Sequence, residues 1–119
     1  MALTKEKLIE INTSHSLSAL YENSWADFDS GTEWADGEYS KSAEGIVRLS
    51  GMIASGTTTS DTVIFTLPAG YRPAKREMFS CVCDVGMAVL TIKADGKVLT
   101  FADVSNSYLS LSGISFASA

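Results

Sequence analysis

Histidine occurs once in this 119-residue chain, at His15, and proline and cysteine only twice each. Charged side chains make up 19% of it, and no uninterrupted apolar run exceeds a few residues. Each shortage excludes a class of protein. One histidine and two cysteines fall short of a zinc tetrad. Runs this short leave nothing that crosses a bilayer as a helix. No Lys/Arg cluster followed by an apolar stretch opens the chain, so the sequence predicts no secretory leader. Nine basic against 14 acidic side chains, with a pI near 4.7, argue against duplex nucleic acid, which needs clustered cations to displace phosphate counterions. A hydrophobic content of 45% and a mean hydropathy of +0.13 lie outside disordered compositions. The length predicts one domain that buries roughly two-thirds of its unfolded surface.

What is plentiful is hydroxyl, with 17 Ser and 10 Thr. The acidity is concentrated. Residues 1–44 hold 3 basic and 9 acidic side chains, a net of −6, while residues 45–119 hold 6 and 5, a net of +1. An acidic lead-in precedes a neutral body, either as a solvated face or as a segment with a partner of its own.

Residues 3–22 are the only helical territory. Leu8 and Ile11 share a face that Leu17 and Leu20 continue weakly, but Asn12, Thr13, Ser14 and Ser16 interrupt it, so one or two short turns are predicted. Residues 24–42 read as an irregular connection with one or two extended pieces. From Gly45 onward the pattern changes to strands. Residues 46–54 alternate, with Val47, Leu49 and Ile53 on one face. A second strand over 62–67 stops at Pro68. Residues 78–85 and 87–94 flank Gly86, Asp95-Gly96 marks a hairpin into 97–101, and a sixth strand spans 108–116. Cys81 and Cys83 then share one face of a strand, too far apart for a relaxed disulfide, and read as reduced core residues that suit a cytoplasmic folding compartment. The predicted class is all-β: an antiparallel β-sandwich or jelly-roll-like domain with a short, partly helical N-terminal segment.

Catalytic chemistry is weakly encoded. His15 sits among serines, far in sequence from the strands. The pairs Asp27/Asp29 and Asp36/Glu38 offer carboxylates, as loops commonly do. No glycine-rich phosphate cradle is present, and Asp27, Asp29 and Asp36 match no calcium-loop spacing. No enzyme activity, cofactor or metal is expected.

The most specific element is Leu67-Pro68-Ala69-Gly70-Tyr71-Arg72-Pro73. It is preceded by Trp34 and by Gly45-Ile46-Val47-Arg48-Leu49-Ser50-Gly51, and followed by Asp95-Gly96-Lys97-Val98 and a closing Leu111-Ser112-Gly113-Ile114-Ser115-Phe116. Over about 34–117 this order resembles the C-terminal domains of bacteriophage tail-fibre and receptor-binding proteins. Two prolines and a glycine hold Tyr71 and Arg72 in one orientation, to pack on the sandwich edge and bond nearby carbonyls or to meet a ligand.

The resemblance implies a non-enzymatic virion protein, assembled in host cytoplasm as a homotrimer. It would be a small tail fibre or fibre tip that attaches to host-surface saccharide. Residues 34–119 would form the head. Residues 1–33 would attach it to other tail, baseplate or capsid proteins or form a trimerisation segment through Leu8, Ile9, Ile11, Leu17 and Leu20, or else simply cap the sandwich. Trp34, Tyr71, Asn106 and Tyr108 are the candidate saccharide contacts, as aromatic platforms and an amide. The competing expectation is a capsid, neck or baseplate decoration protein with an assembly role and no receptor. A glycan-cleaving enzyme would additionally need two acids facing each other across a cleft.

Overall fold

Alternation along 77–92 sets the frame of the molecule. In the strand Glu77–Cys83, Cys81 and Cys83 are buried while Met78, Ser80 and Val82 are exposed. It forms a hairpin with Gly86–Ile92, whose Ala88, Leu90 and Ile92 are fully buried. In this computed structural model residues 13–29 and 31–119 are described. Their strands are β1 (His15–Ser16), β2 (Ala26–Asp27), β3 (Glu38–Lys41), β4 (Ile46–Ser50), β5 (Met52–Ala54) and β6 (Val63–Thr66). The remainder are β7 (Glu77–Cys83), β8 (Gly86–Ile92), β9 (Lys97–Ala102), β10 (Leu109–Ser110) and β11 (Ser115–Ala117).

They build two antiparallel sheets, ordered β1-β3-β4-β11 and β2-β5-β10-β7-β8-β9-β6. One core lies between them. The four-stranded sheet contributes Val47, Leu49 and Phe116; the seven-stranded sheet contributes Ile53, Ile64, Phe65, Cys81, Cys83, Leu90, Ile92, Val98 and Leu109. The fold is an all-β sandwich. Both cysteines are free, and burial pushes the Cys81 thiol up to about 12.

Two predicted strands prove to be corners. The stretch 46–54 leaves the first sheet and enters the second at Gly51, where φ is +104°. A Cβ there would run into the Asp36 carbonyl and lie 2.7 Å from Gly37 Cα, so only glycine fits. The stretch 108–116 crosses the other way at Gly113. The corners hold each other: Leu111 N–H donates to Gly51 O at 2.9 Å, and Gly51 N–H donates to Ser112 Oγ at 3.2 Å. Strands that change sheet through a bend are how such sandwiches turn their edges.

The expected N-terminal helix is not found in the described part of its range. No described residue is helical, and 13–22 carries β1, a turn at 18–20 and a bridge from Tyr21 to Phe65. Serine chemistry accounts for this. Ser18 N–H donates to Ser16 Oγ at 3.0 Å, a local bond that competes with the helical ladder, while His15 and Ser16 pair with Tyr39 and Glu38. Leu17 is fully buried and Leu20 packs on the core. Through β1 and β2 the described part of 1–33 is built into both sheets. Leu8, Ile9 and Ile11 lie outside the described residues.

Candidate functional site

The outer face of the seven-stranded sheet, at its β2-β5-β10 end, carries an aromatic groove. Phe28 continues β2: its N–H donates to Met52 O at 2.9 Å, and both side chains stand on the side away from the core. Tyr108 precedes β10, and its ring meets Phe28 edge-to-face at 6.2 Å and 73°. Trp34 closes the groove from the β2–β3 connection and is half exposed. These four side chains bound a space of about 260 Å³. A second lobe of about 300 Å³ adjoins it across Trp34 and Met52, floored by Ala35, Gly51, Ser110 and Ser112.

Trp34 is positioned by one carboxylate. Asp29 accepts from the backbone N–H groups of Gly31 (3.1 Å), Glu33 (2.9 Å) and Trp34 (3.0 Å), and Thr32 Oγ1 donates to the Asp29 carbonyl at 2.9 Å. The N–H groups of Trp34 and then Glu33 hold the Asp29 carboxyl below its ordinary range. Beneath the loop, Asp27 accepts from Tyr21 OH at 2.6 Å and Gly37 N–H at 2.8 Å, and burial, followed by the bond to Asp27, drives the Tyr21 phenol well above its usual value. Asp36 Oδ1 is buried with no hydrogen-bond partner among the described residues. Desolvation first, then the charges of Asp27 and Asp29, raise its carboxyl.

The lining residues carry no carboxylate, imidazole or thiol. Aromatic faces beside serine hydroxyls suit non-covalent capture of a flat, hydroxylated ligand. Among the described residues, no group of three His, Cys, Asp or Glu is placed to hold a metal ion.

Of the residues predicted to contact a ligand, Trp34 and Tyr108 come together here. Asn106 does not line the groove: its side-chain amide donates to Gly56 O at 2.9 Å and its main-chain carbonyl accepts from Ser55 N–H, tying two loops together. Tyr71 belongs to a separate cluster. Its ring lies 4.9 Å from Tyr39 and 5.9 Å from His15, its hydroxyl is 3.3 Å from His15 Nε2, and Lys41 Nζ sits 5.3 Å from its centroid. Arg72 donates through Nε to Leu67 O at 2.8 Å and fixes the Pro68–Pro73 turn. Phe28 and Met52 are additions to the site. The alternation that turns Ile53 inward already turns Met52 outward, whereas Phe28 gives no signal before β2 is paired with β5.

No protein-family model and no curated protein sequence matches the chain. Among solved structures, the fold is similar to that of the receptor binding protein (gp15) of Listeria phage PSA. The TM-score is 0.65 over 97% of this chain and 71% of that one, at 17% sequence identity. The chain thus shares the fold of a phage receptor binding protein.

Proposed function

We propose that this chain is the attachment head of a bacteriophage tail protein, virion-borne and homotrimeric, that binds a saccharide of the host surface in the Trp34–Tyr108 groove. The likeness of fold to a phage receptor binding protein carries the reading, and the groove supplies its chemistry. Trp34 and Tyr108 offer π-faces to the C–H side of a sugar ring, Phe28 and Met52 form an apolar wall, and Ser110 and Ser112 offer hydroxyls to sugar hydroxyls. The Asp29 clasp keeps Trp34 in place before binding, which lowers the ordering cost.

The test is binding of the purified chain to cell-wall polysaccharides from a panel of bacteria, with Trp34→Ala in parallel. Saturable binding that Trp34→Ala weakens supports the reading. Particles that lack the chain and still adsorb normally, but are fragile or misassembled, point instead to a decoration role.

A further inference from the structure

The aromatic groove is one end of a longer uncharged row. Phe28 stands beside Met52, Ser110 pairs with Met52, Leu109 pairs with Cys83 so that Ser110 stands beside Val82, and Val82 pairs with Met87. Every member lies on the side opposite the buried Ile53, Leu109, Cys83 and Ala88. At about 4.8 Å per strand the row crosses β2-β5-β10-β7-β8 over roughly 19 Å. Its far half differs in chemistry from the groove. Val82 and Met87 are exposed on neighbouring strands, Met78 lies further along β7, and Val85 tops the hairpin; these four are 54–70% exposed. They are aliphatic or thioether side chains, with neither a flat ring for a sugar nor a polar group to orient one.

We infer that this β7–β8 face is covered by a second copy of the same chain, an inference that rests on the homotrimeric reading above and names its surface. Charge favours that occupant. The chain carries −5 overall, yet β5, β8 and β10 contain no charged residue and β7 only Glu77 at its start. Glu77 at the start of β7 and Asp84 in the β7–β8 turn are the acids at the margins of the face, so identical acidic chains meet little like charge across its middle. Area agrees as well. Four exposed apolar side chains at about 100 Å² each offer roughly 400 Å², and an interface is commonly about 57–65% apolar, which makes roughly 600–700 Å² per partner. That falls within the ~600–1,000 Å² per side of a specific interface. A patch of roughly 400 Å² is of the size of the largest apolar patch on a typical monomer, about 300–600 Å², which is often functional.

The experiment is molar mass by light scattering on the 119-residue chain over a hundredfold concentration range. Wild type, Val82→Asp/Met87→Asp and Met78→Lys/Met87→Lys are compared, with far-UV circular dichroism confirming the β fold of each. The expected result is wild type at a multiple of 12.7 kDa and both double variants at 12.7 kDa. Double variants that keep the wild-type mass, or a wild type that stays at 12.7 kDa throughout, overturn the inference. Trp34→Ala separates the two proposals. It is expected to keep the wild-type mass while binding polysaccharide about 10- to 30-fold more weakly. A Trp34→Ala protein that binds polysaccharide with wild-type affinity, alongside monomeric double variants, removes the groove reading and leaves the interface standing.

Discussion

Replacing Gly51 with alanine isolates the corner on which the sandwich turns. Gly113 provides the control, because it has nearly the same φ, +99° against +104°, with nothing within 4 Å of where a Cβ would stand. Gly113→Ala therefore carries only the cost of a non-glycine residue at positive φ, about 1–2 kcal/mol. Gly51→Ala carries that cost and a collision with main chain, since its Cβ would meet the Asp36 carbonyl and Gly37 Cα. No rotamer relieves it. Residues 35–37 must move away, which strains the Met52 N–H bond to Ala35 O, now 2.9 Å. Overpacking and a weakened hydrogen bond together add about 2–3 kcal/mol. The total of about 3–5 kcal/mol is a large share of the ~5–15 kcal/mol that holds a domain together. At about 3–5 °C per kcal/mol for a chain of this size, it lowers Tm by roughly 10–20 °C. Thermal and urea unfolding of wild type, Gly51→Ala and Gly113→Ala measure it. A Gly51→Ala protein within about 1 kcal/mol of Gly113→Ala would refute the corner argument.

Other consequences are equally direct. Trp34→Ala and Tyr108→Ala are each expected to weaken polysaccharide binding by about 10- to 30-fold, the usual cost of truncating an aromatic anchor, with unfolding midpoints close to wild type; titration calorimetry reads both. Asp29→Ala unclasps the loop and should lower affinity with little change in global stability. Because the folded-state pKa of Asp29 is depressed, the clasp is fully present above about pH 4 and is lost as pH falls through the lowered value, so affinity should hold from pH 7 to about 4 and then drop. Asp36 has the opposite sign: its raised carboxyl penalises the charged form, so its favourable contribution is present in acid and lost as pH rises. Asp36→Asn should therefore stabilise the protein at pH 7, with a gain that vanishes below about pH 4, as unfolding midpoints across pH will show. Cys81 should resist alkylation in the native protein and react on unfolding, as buried thiols with a raised pKa do, followed by intact mass.

How much of this was readable in advance follows from how local each signal is. The β7–β8 hairpin about Gly86, the entry to β9 after Asp95-Gly96 and the inward Cys81 and Cys83 depend on period-two alternation within a few residues, and they stand where that alternation puts them. The corners escaped because Val47, Leu49 and Ile53 stay in phase straight through Gly51, so the pattern is silent on the change of sheet. The N-terminal reading weighed Leu17 as part of a helical face, whereas pairing of His15 and Ser16 with β3 carries it into the core. At the groove, Trp34 and Tyr108 were legible as aromatics in polar surroundings. Their partners Phe28 and Met52 depend on pairings that reach from β2 through β5 to β10, across more than 80 residues of chain. Asn106 and Tyr71 have the right chemistry for a ligand but are engaged by Gly56 in one case and by His15 and Tyr39 in the other.

The two tryptophans allow the groove to be watched directly. Trp25 is buried, its indole N–H donating to Thr57 O at 3.2 Å, while the ring of Trp34 faces the groove. In a nitrogen-15 correlation spectrum of the chain titrated with the cell-wall polysaccharide it binds best, the Trp34 indole resonance should shift saturably while that of Trp25 stays in place. A polysaccharide that binds and leaves the Trp34 resonance unmoved would contradict the assignment of the groove as the receptor site.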